Sequence, residues 1–378
     1  MTERIETDVA IVGGGISGVC AAYYLARRGA RVLLLERGVV GSQASGVNFG
    51  GLRTNGRAEG ELPLSLRAWH EWQQIEGLVG DGCEVEFTGH VEICDRREHM
   101  ATVESWANMA RGYGLDSELI SGNTVTERFP WIGRKVIGAC FVAADGAANP
   151  RLATPNFALA ARRLGADIRE QCPVHCAGHD GSRFTIEAGG GLEIVSRVLV
   201  NAAGAWAGRI AAQLGERFAM DVIAPQMVVS EPFTRRITST VDYPVAGRYF
   251  YVRQVKRGNV LFGRGPGRAD LDTSRAQFLP QNAFDAARIA MDIVPLLRGR
   301  TILRTWSGIE GKSPDSMPYL GLSRTVPNLI HAFGFSGHGF QLGPGTGAVV
   351  CELALDGRTT TQIEAFDPYR FERAAAAA

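Results

Sequence analysis

The feature that most constrains this chain is its opening stretch, DVAIVGGGISGVCAAYYLARRGARVLLLER, residues 8–37. Residues 8–12 are a nearly continuous apolar run, as a strand buried on both faces requires. From residue 16 to 28 the spacing turns helical, with Val19, Tyr23 and Ala26 on one face. Gly29 stops the helix, and 31–35 is a second buried strand, so the unit is βαβ. Between first strand and helix, Gly13, Gly15 and Gly18 form G-x-G-x-x-G. The first glycine permits a tight turn, the second lets a pyrophosphate approach the backbone, and the third lets helix and strand pack closely. Ile16 and Ser17 open the helix, whose free N–H groups and partial charge of ~0.5 e suit phosphate. Glu36 ends the second strand, placed to accept ribose hydroxyls, with Arg37 beside it. The unit predicts a dinucleotide site.

At 378 residues the chain exceeds what one core usually supports, so two domains are expected. Lys plus Arg number 40 and Asp plus Glu 39, a balance with no basic field for nucleic acid. No apolar run reaches the ~18 residues a bilayer crossing needs. The start, MTERIETD, carries both signs of charge and is not expected to be a signal peptide. Seven scattered cysteines lack a framework spacing and fit reduced thiols in a cytoplasm. CPVHCAGH gathers Cys172, His175, Cys176 and His179, but no second ligand pair follows. It is read as a strand and its turn, and no metal is expected. The closing alanines, 374–378, are expected to fray.

Residues 41–57 are polar and glycine-rich and read as loop. Helices are expected over 62–78, 97–112, 151–164 and 283–297, and strands at 87–94, 140–144, 167–174 and 183–187. EIVSRVLVNAAGAW, 193–206, is an apolar strand running into a second glycine turn. Residues 227–263 are rich in β-branched and aromatic side chains, which suggests antiparallel sheet. A last buried strand, 328–334, and a last helix, 346–355, flank FGFSGHGFQLGPGTG, residues 333–347. A strand before and a helix after argue against a flexible linker. The expected fold class is α/β plus antiparallel β. A Rossmann-like FAD-binding domain would comprise 1–80, 145–220 and 325–378, and a sheet-rich substrate domain would be inserted as 81–144 and 221–324. Three glycine turns converging on one ligand suit a long, flat cofactor, FAD, better than NAD.

DVAIVGGGISG, LLLER, SGVNFGGLR, VLVNAAGAWA, WSGIEGKSPDSMPYLG and AFGFSGHGFQLGPGTG occur in this order. Together they resemble the FAD-dependent oxidoreductases related to D-amino acid oxidase, a family that includes glycine oxidase and sarcosine oxidase. The resemblance spans essentially the whole chain and implies non-covalent FAD. It implies that Ser45, Gly46, Asn48, Gly50, Gly51 and Leu52 run along the pyrophosphate and flavin. Val174 would meet the adenine side by its backbone, and Ala202, Gly204 and Trp206 would border the nucleotide half. Gly308, Gly337, His338, Gly339, Phe340 and Gln341 would border the ring. On this reading the late glycines are small because the isoalloxazine lies against them, and the following helix N-terminus stabilises anionic reduced flavin. His338 either donates to the flavin or serves as a turn residue.

The implied chemistry moves a hydride from a C–H beside nitrogen or oxygen to flavin N5, while the protein positions and desolvates. A carboxylate substrate needs a cation, preferably a bidentate arginine. Here the chain departs from its relatives. Glu310 stands where glycine oxidase and D-amino acid oxidase carry an arginine clamp. Gly308 stands where single-chain sarcosine oxidases attach flavin to cysteine. Gln341 and Leu261 stand where lysines are expected. The candidates on the substrate side are therefore Arg53, Arg57, Arg253 and Tyr251. Glu310 would either pair with one of these arginines or receive a positive group on a basic amino acid, an opine or a secondary amine. The missing lysines imply a slow reaction with oxygen. YVRQ followed by GNVLFG is similar to flavin subunits of opine, hydroxyproline and cyanide-forming glycine dehydrogenases. The expected enzyme is thus an amino or imino acid dehydrogenase passing electrons to a quinone, an iron–sulfur centre or a partner protein. A hetero-oligomer in the cytoplasm or peripheral at the inner membrane fits that expectation. An oxygen-using amino acid oxidase, a 2-hydroxy acid dehydrogenase and a flavin-carrying subunit without its own substrate stand as alternatives.

Overall fold

The computed structural model describes residues 3–245 and 248–372; the alanine run lies outside them. Among the described residues, two large sheets dominate. In the first, Glu3–Val12 lies between Leu192–Asn201 and Val32–Leu35, all parallel, with Val9 opposite both Val198 and Val32. Leu329–Phe333 and Asp167–Arg169 extend it in parallel on either side. Tyr319–Leu322 closes one edge antiparallel. Val32 to Leu35 and Leu329 to Phe333 are buried throughout, as their unbroken apolar sequences demand. The βαβ reading of the opening stands, with its helix at Ile16–Arg27.

The late helix is longer than its sequence suggests. It spans Gly339–Asp356 and includes Pro344. Glycine and proline argue against helix locally, but nearly every residue from Phe340 to Cys351 is buried, and tertiary packing overrides propensity. The glycines in it serve close packing. A Cβ on Gly347 would lie 2.5 Å from the carbonyl carbon of Cys20, and one on Gly343 would lie 2.4 Å from Ile16 Cγ1. A Cβ on Gly345 would sit 3.0 Å from the Ala68 nitrogen. The late helix therefore beds against Ile16–Arg27 and Leu62–Gln73 with backbones nearly touching. Only its first two residues, Gly339 and Phe340, and the segment before it from Gly334 face the cavity described below. The expectation that a ring explains all these glycines is corrected accordingly.

Other boundaries also move. The helix expected over 62–78 breaks at Gln74 into Leu62–Gln73 and Ile75–Val79. The strand expected over 167–174 stops at Arg169; Gln171 takes a positive φ of 54° and the chain resumes as Val174–His179. CPVHCAGH is thus a turn and a strand, and no metal-holding cluster occurs among the described residues. The loop 41–57 contains a short helix, Ala44–Val47, and a strand, Gly51–Leu52, paired with Gly146–Ala147.

The second sheet is mainly antiparallel and joins chain segments remote in sequence. Asp221–Ser230, Val260–Arg264, Arg248–Gln254 and Thr240–Val245 lie side by side. Thr240–Val245 then pairs in parallel with His90–Cys94, which sets His90 opposite Thr240 and Glu92 opposite Asp242. On its other side Asp242 faces Tyr251. Glu310–Lys312 joins Asp221–Ser230, with Glu310 opposite Ile223. These registers place the polar residues of the site. No helix among the described residues is long and apolar enough to cross a membrane.

Candidate active site

A cavity of about 850 Å³ runs between the glycine turns of the first sheet and one face of the second. That size is at the upper end of small-molecule sites. Its nucleotide end is built from backbone. Gly13 has φ 112°, and a Cβ there would lie 2.3 Å from Ala202 O. A Cβ on Gly15 would lie 3.1 Å from Ser45 Oγ. The N-cap of the Ile16–Arg27 helix is Gly15, which has no side chain of its own to cap it. Ser45 Oγ accepts the Ile16 N–H at 2.9 Å, and Gly15, Ile16 and Ser17 line the wall. Glu36 accepts from the N–H groups of Gly14 and Gly38, each at 2.7 Å, which fixes its carboxylate at the strand end. Arg37 stacks 3.4 Å from the centre of the Trp206 ring, whose Nε1 donates to Leu271 O at 2.9 Å. Ser45, Asn48, Gly50, Gly51, Val174, Ala202 and Gly204 also line this cavity.

Farther along, Gly308, Gly337, His338, Gly339 and Phe340 form the wall where the late helix begins. The N-cap residue of that helix, His338, makes no side-chain cap bond, and so two positive helix ends open on one elongated cavity. An anionic pyrophosphate at one and a ring that gains negative charge at the other match this arrangement. The residues present therefore fit FAD.

Several expected contacts do not form. Gly46, Leu52 and Gln341 are not on the cavity wall, and neither is Gly18, whose expected part is the close packing of helix on strand. Gly18 and Gly46 shape it indirectly, since a Cβ would lie 2.0 Å from Gly13 O and 2.1 Å from Gly41 O respectively. Leu52 is a core residue. Gln341 turns toward the Leu62–Gln73 helix, where its Nε2 donates to Ser65 O at 2.9 Å. Arg253 is also turned away: its Nη2 donates to Ala148 O at 3.1 Å, and burial pulls its pKa down to about 10. It braces the Gly50 loop and is no substrate clamp.

At the substrate end the walls carry charge. Buried Asp145 accepts the Thr54 and Asn55 N–H groups at 2.7 and 2.9 Å, pinning the loop that holds Arg53 and Arg57. Arg53 Nε lies 3.6 Å from Asp242, and Arg57 Nη1 lies 3.8 Å from Glu61. Arg53 keeps 24% of its side chain exposed, against 2% for Arg57, so Arg53 is the cation the cavity can use. His338 Nδ1 lies 2.7 Å from Glu61 Oε1. Despite burial, the bond from His338 and the charge of Arg57 hold the Glu61 carboxyl down at about 2. Burial, with Arg57 nearby, pulls His338 down to about 4, so the imidazole is neutral near pH 7. Tyr251 lines the cavity and donates to Gln226 O at 3.3 Å. Its ring lies over Gly263, where a Cβ would come within 2.7 Å of it. Burial pushes the Tyr251 hydroxyl pKa up.

Glu310 also lines the cavity and accepts the Gly337 N–H. It makes no ion pair among the described residues, so the expected pairing with an arginine is not found. The guanidinium groups of Arg53 and Arg57 already have Asp242 and Glu61. No sequence pattern points to Glu61, His90, Asp242 or Tyr249, and Lys312 lies in the WSGIEGKSPD stretch without being singled out there. Each stands outside the glycine turns, and only strand register brings His90, Asp242 and Tyr249 together.

A family profile described as "DAO: FAD dependent oxidoreductase" matches residues 8–353. The chain belongs to this family of FAD-dependent oxidoreductases. It is 25% identical to the glycine oxidase of Geobacillus kaustophilus over 97% of both chains. It is also 25% identical to an opine oxidase subunit of Rhizobium meliloti, over 97% of this chain and 98% of that one. The crystal structure of L-proline dehydrogenase from P. horikoshii superposes with a TM-score of 0.91 at 29% identity, covering 99% of each. The cofactor is accordingly FAD, a group that the cradle of glycine turns fits.

Proposed function

We propose that this oxidoreductase oxidises an amino or imino acid at the carbon beside nitrogen and passes the electrons to an acceptor other than oxygen. When bound, FAD supplies the two-electron acceptor for that C–H bond. The observation that carries the reading is the partly exposed Arg53 guanidinium on the wall of a cavity that Tyr251 and the start of the late helix also line. Arg53 would hold the substrate carboxylate, and the Tyr251 hydroxyl would fix its orientation. Relatives named for glycine oxidase, opine oxidase and L-proline dehydrogenase support an amine substrate.

The acceptor is read from what faces the ring. Gln341 is bonded to Ser65, so position 341 brings no cation to the flavin. Lys312 is the lysine on the cavity wall, and it is exposed. Its charge is therefore largely screened. The opine oxidase relative is named as one subunit of its enzyme, which supports an assembly in which a second chain takes the electrons. Anaerobic mixing with glycine, sarcosine, L-proline and L-lactate, followed by either oxygen or a quinone, tests the reading. An amine should bleach the flavin, and the quinone should restore its colour much faster than air does. Rapid peroxide release in air would defeat the acceptor assignment.

A further inference from the structure

Among the described residues, the arginines at the substrate end of the cavity have carboxylate partners, and one carboxylate has no cation. Arg53 is matched by Asp242, and Arg57 by Glu61. Lys312 lies on the same strand as Glu310, two residues along, and is exposed. Glu310 is held in place by the Gly337 N–H immediately before the late helix. The strand fixes its backbone opposite Ile223. Among the groups that line the cavity with Glu310 are Tyr251 from the Arg248–Gln254 strand, the Arg53–Asp242 pair, whose Asp242 lies opposite Tyr251 on the next strand, His338 from the helix start, and Lys312 from its own strand. None of them neutralises it within ion-pair distance. A lone carboxylate in a desolvated cavity is costly unless a bound ligand supplies the opposite charge.

We propose that Glu310 receives the protonated amine of the substrate and takes its proton, making the substrate a zwitterionic amino or imino acid and not a 2-hydroxy acid. The inference rests on the amine-oxidation reading above. Arg53 and Glu310 would then form the two poles of the site, one for carboxylate and one for ammonium. In the step, an N–H bond breaks, its proton moves to a Glu310 oxygen, and the nitrogen keeps the electron pair. That pair would become the second bond of C=N, with bound FAD supplying the two-electron acceptor for the hydrogen on carbon and its bonding pair. The iminium product departs, and Glu310 releases its proton to solvent. Burial pushes the Glu310 carboxyl up to about 7, against a smaller opposing effect of the Gly337 N–H, so it can accept and release a proton near neutrality. A hydroxy acid could place its carboxylate at Arg53 in the same way, but its hydroxyl offers the Glu310 carboxylate no cation.

The test is anaerobic rapid mixing of wild-type, Glu310→Gln and Glu310→Asp holoenzymes with glycine, sarcosine, L-proline and L-lactate from pH 5 to 9.5. With whichever amine bleaches the flavin, the wild-type bleaching rate at low substrate should rise through pH 7 and level off. In Glu310→Gln that rate should fall by about 100-fold at pH 7. It should recover toward high pH, where the amine arrives already neutral. Glu310→Asp should fall between. Binding of acetate, a carboxylate without an amine, should be no weaker in Glu310→Gln, which separates loss of the ammonium site from general damage. An unchanged rate and pH profile in Glu310→Gln would overturn the inference while leaving amine oxidation intact. So would colourless Gln and Asp variants, since Glu310 would then serve the cofactor. Bleaching of the wild type by lactate and by no amine would overturn the amine reading itself, and the inference with it.

Discussion

The two ends of the cavity are made of different materials. The nucleotide end is backbone: Gly13, Gly15, Gly204 and the start of the Ile16–Arg27 helix, with few charged side chains. The substrate end is side chain: Arg53 with Asp242, Arg57 and His338 with Glu61, and Glu310 alone. Backbone sites rest on steric exclusion, which tolerates no substitution at the close approaches. Side-chain sites rest on charge balance between distant residues, which can be retuned one residue at a time. One family can therefore keep its cofactor while changing its substrate.

The most severe break in this comparison is Gly13→Val. With φ at 112° and a Cβ forced to 2.3 Å from Ala202 O, the turn cannot close. The purified variant should be colourless, as its visible spectrum will show; a yellow protein would mean that the backbone end is less exacting than its geometry implies. Next comes Glu61→Gln, which leaves Arg57 buried without its partner at 2% exposure. Denaturant titration of the holoenzyme should show a loss of about 3–5 kcal/mol. Arg53→Met should leave FAD bound but raise the half-saturating concentration of the amino acid roughly 10- to 100-fold, since a charged hydrogen bond is lost. Equal loss of FAD would erase the distinction between the two ends.

Acid sharpens the same contrast. The folded pKa of His338 is depressed to about 4 from an ordinary 6.5, so the unfolded chain takes up that proton first. Stability should fall as pH drops from about 6.5 toward 4. Glu61, held at about 2 instead of 4.5, adds a loss in the same direction between about 4.5 and 2. Melting temperatures of wild type and His338→Asn across pH 4–7 should converge at the acid end. The smallest effect is expected for Lys312→Met. If oxygen is not the acceptor, reoxidation in air should change by about twofold or less, as for a screened surface charge.

How much can be read in advance follows from the same division. The G-x-G-x-x-G turn, Glu36 and the strand leading to Ala202 are local patterns, and the structure keeps them where the sequence puts them. The late helix reads too short in sequence because Gly343, Pro344 and Gly345 look like breakers in isolation. Their purpose is visible only when the Ile16–Arg27 helix is laid against them. Place in the chain points Arg253 and Gln341 toward the cavity, but side-chain direction depends on contacts with Ala148 and Ser65. Asp242, His90 and Glu61 belong to no motif at all.

The sequence alone determined that this protein binds a dinucleotide through tight glycine turns at strand ends, because steric limits on the backbone are local and leave their mark residue by residue. Only the tertiary structure decided which charges meet. Arg53 reaches Asp242 and His338 reaches Glu61 across large stretches of chain, and the strand pairing that aligns Asp242 with Glu92 and Tyr251 has no local signature. Coulomb energy depends on distance in space, and the fold sets that distance.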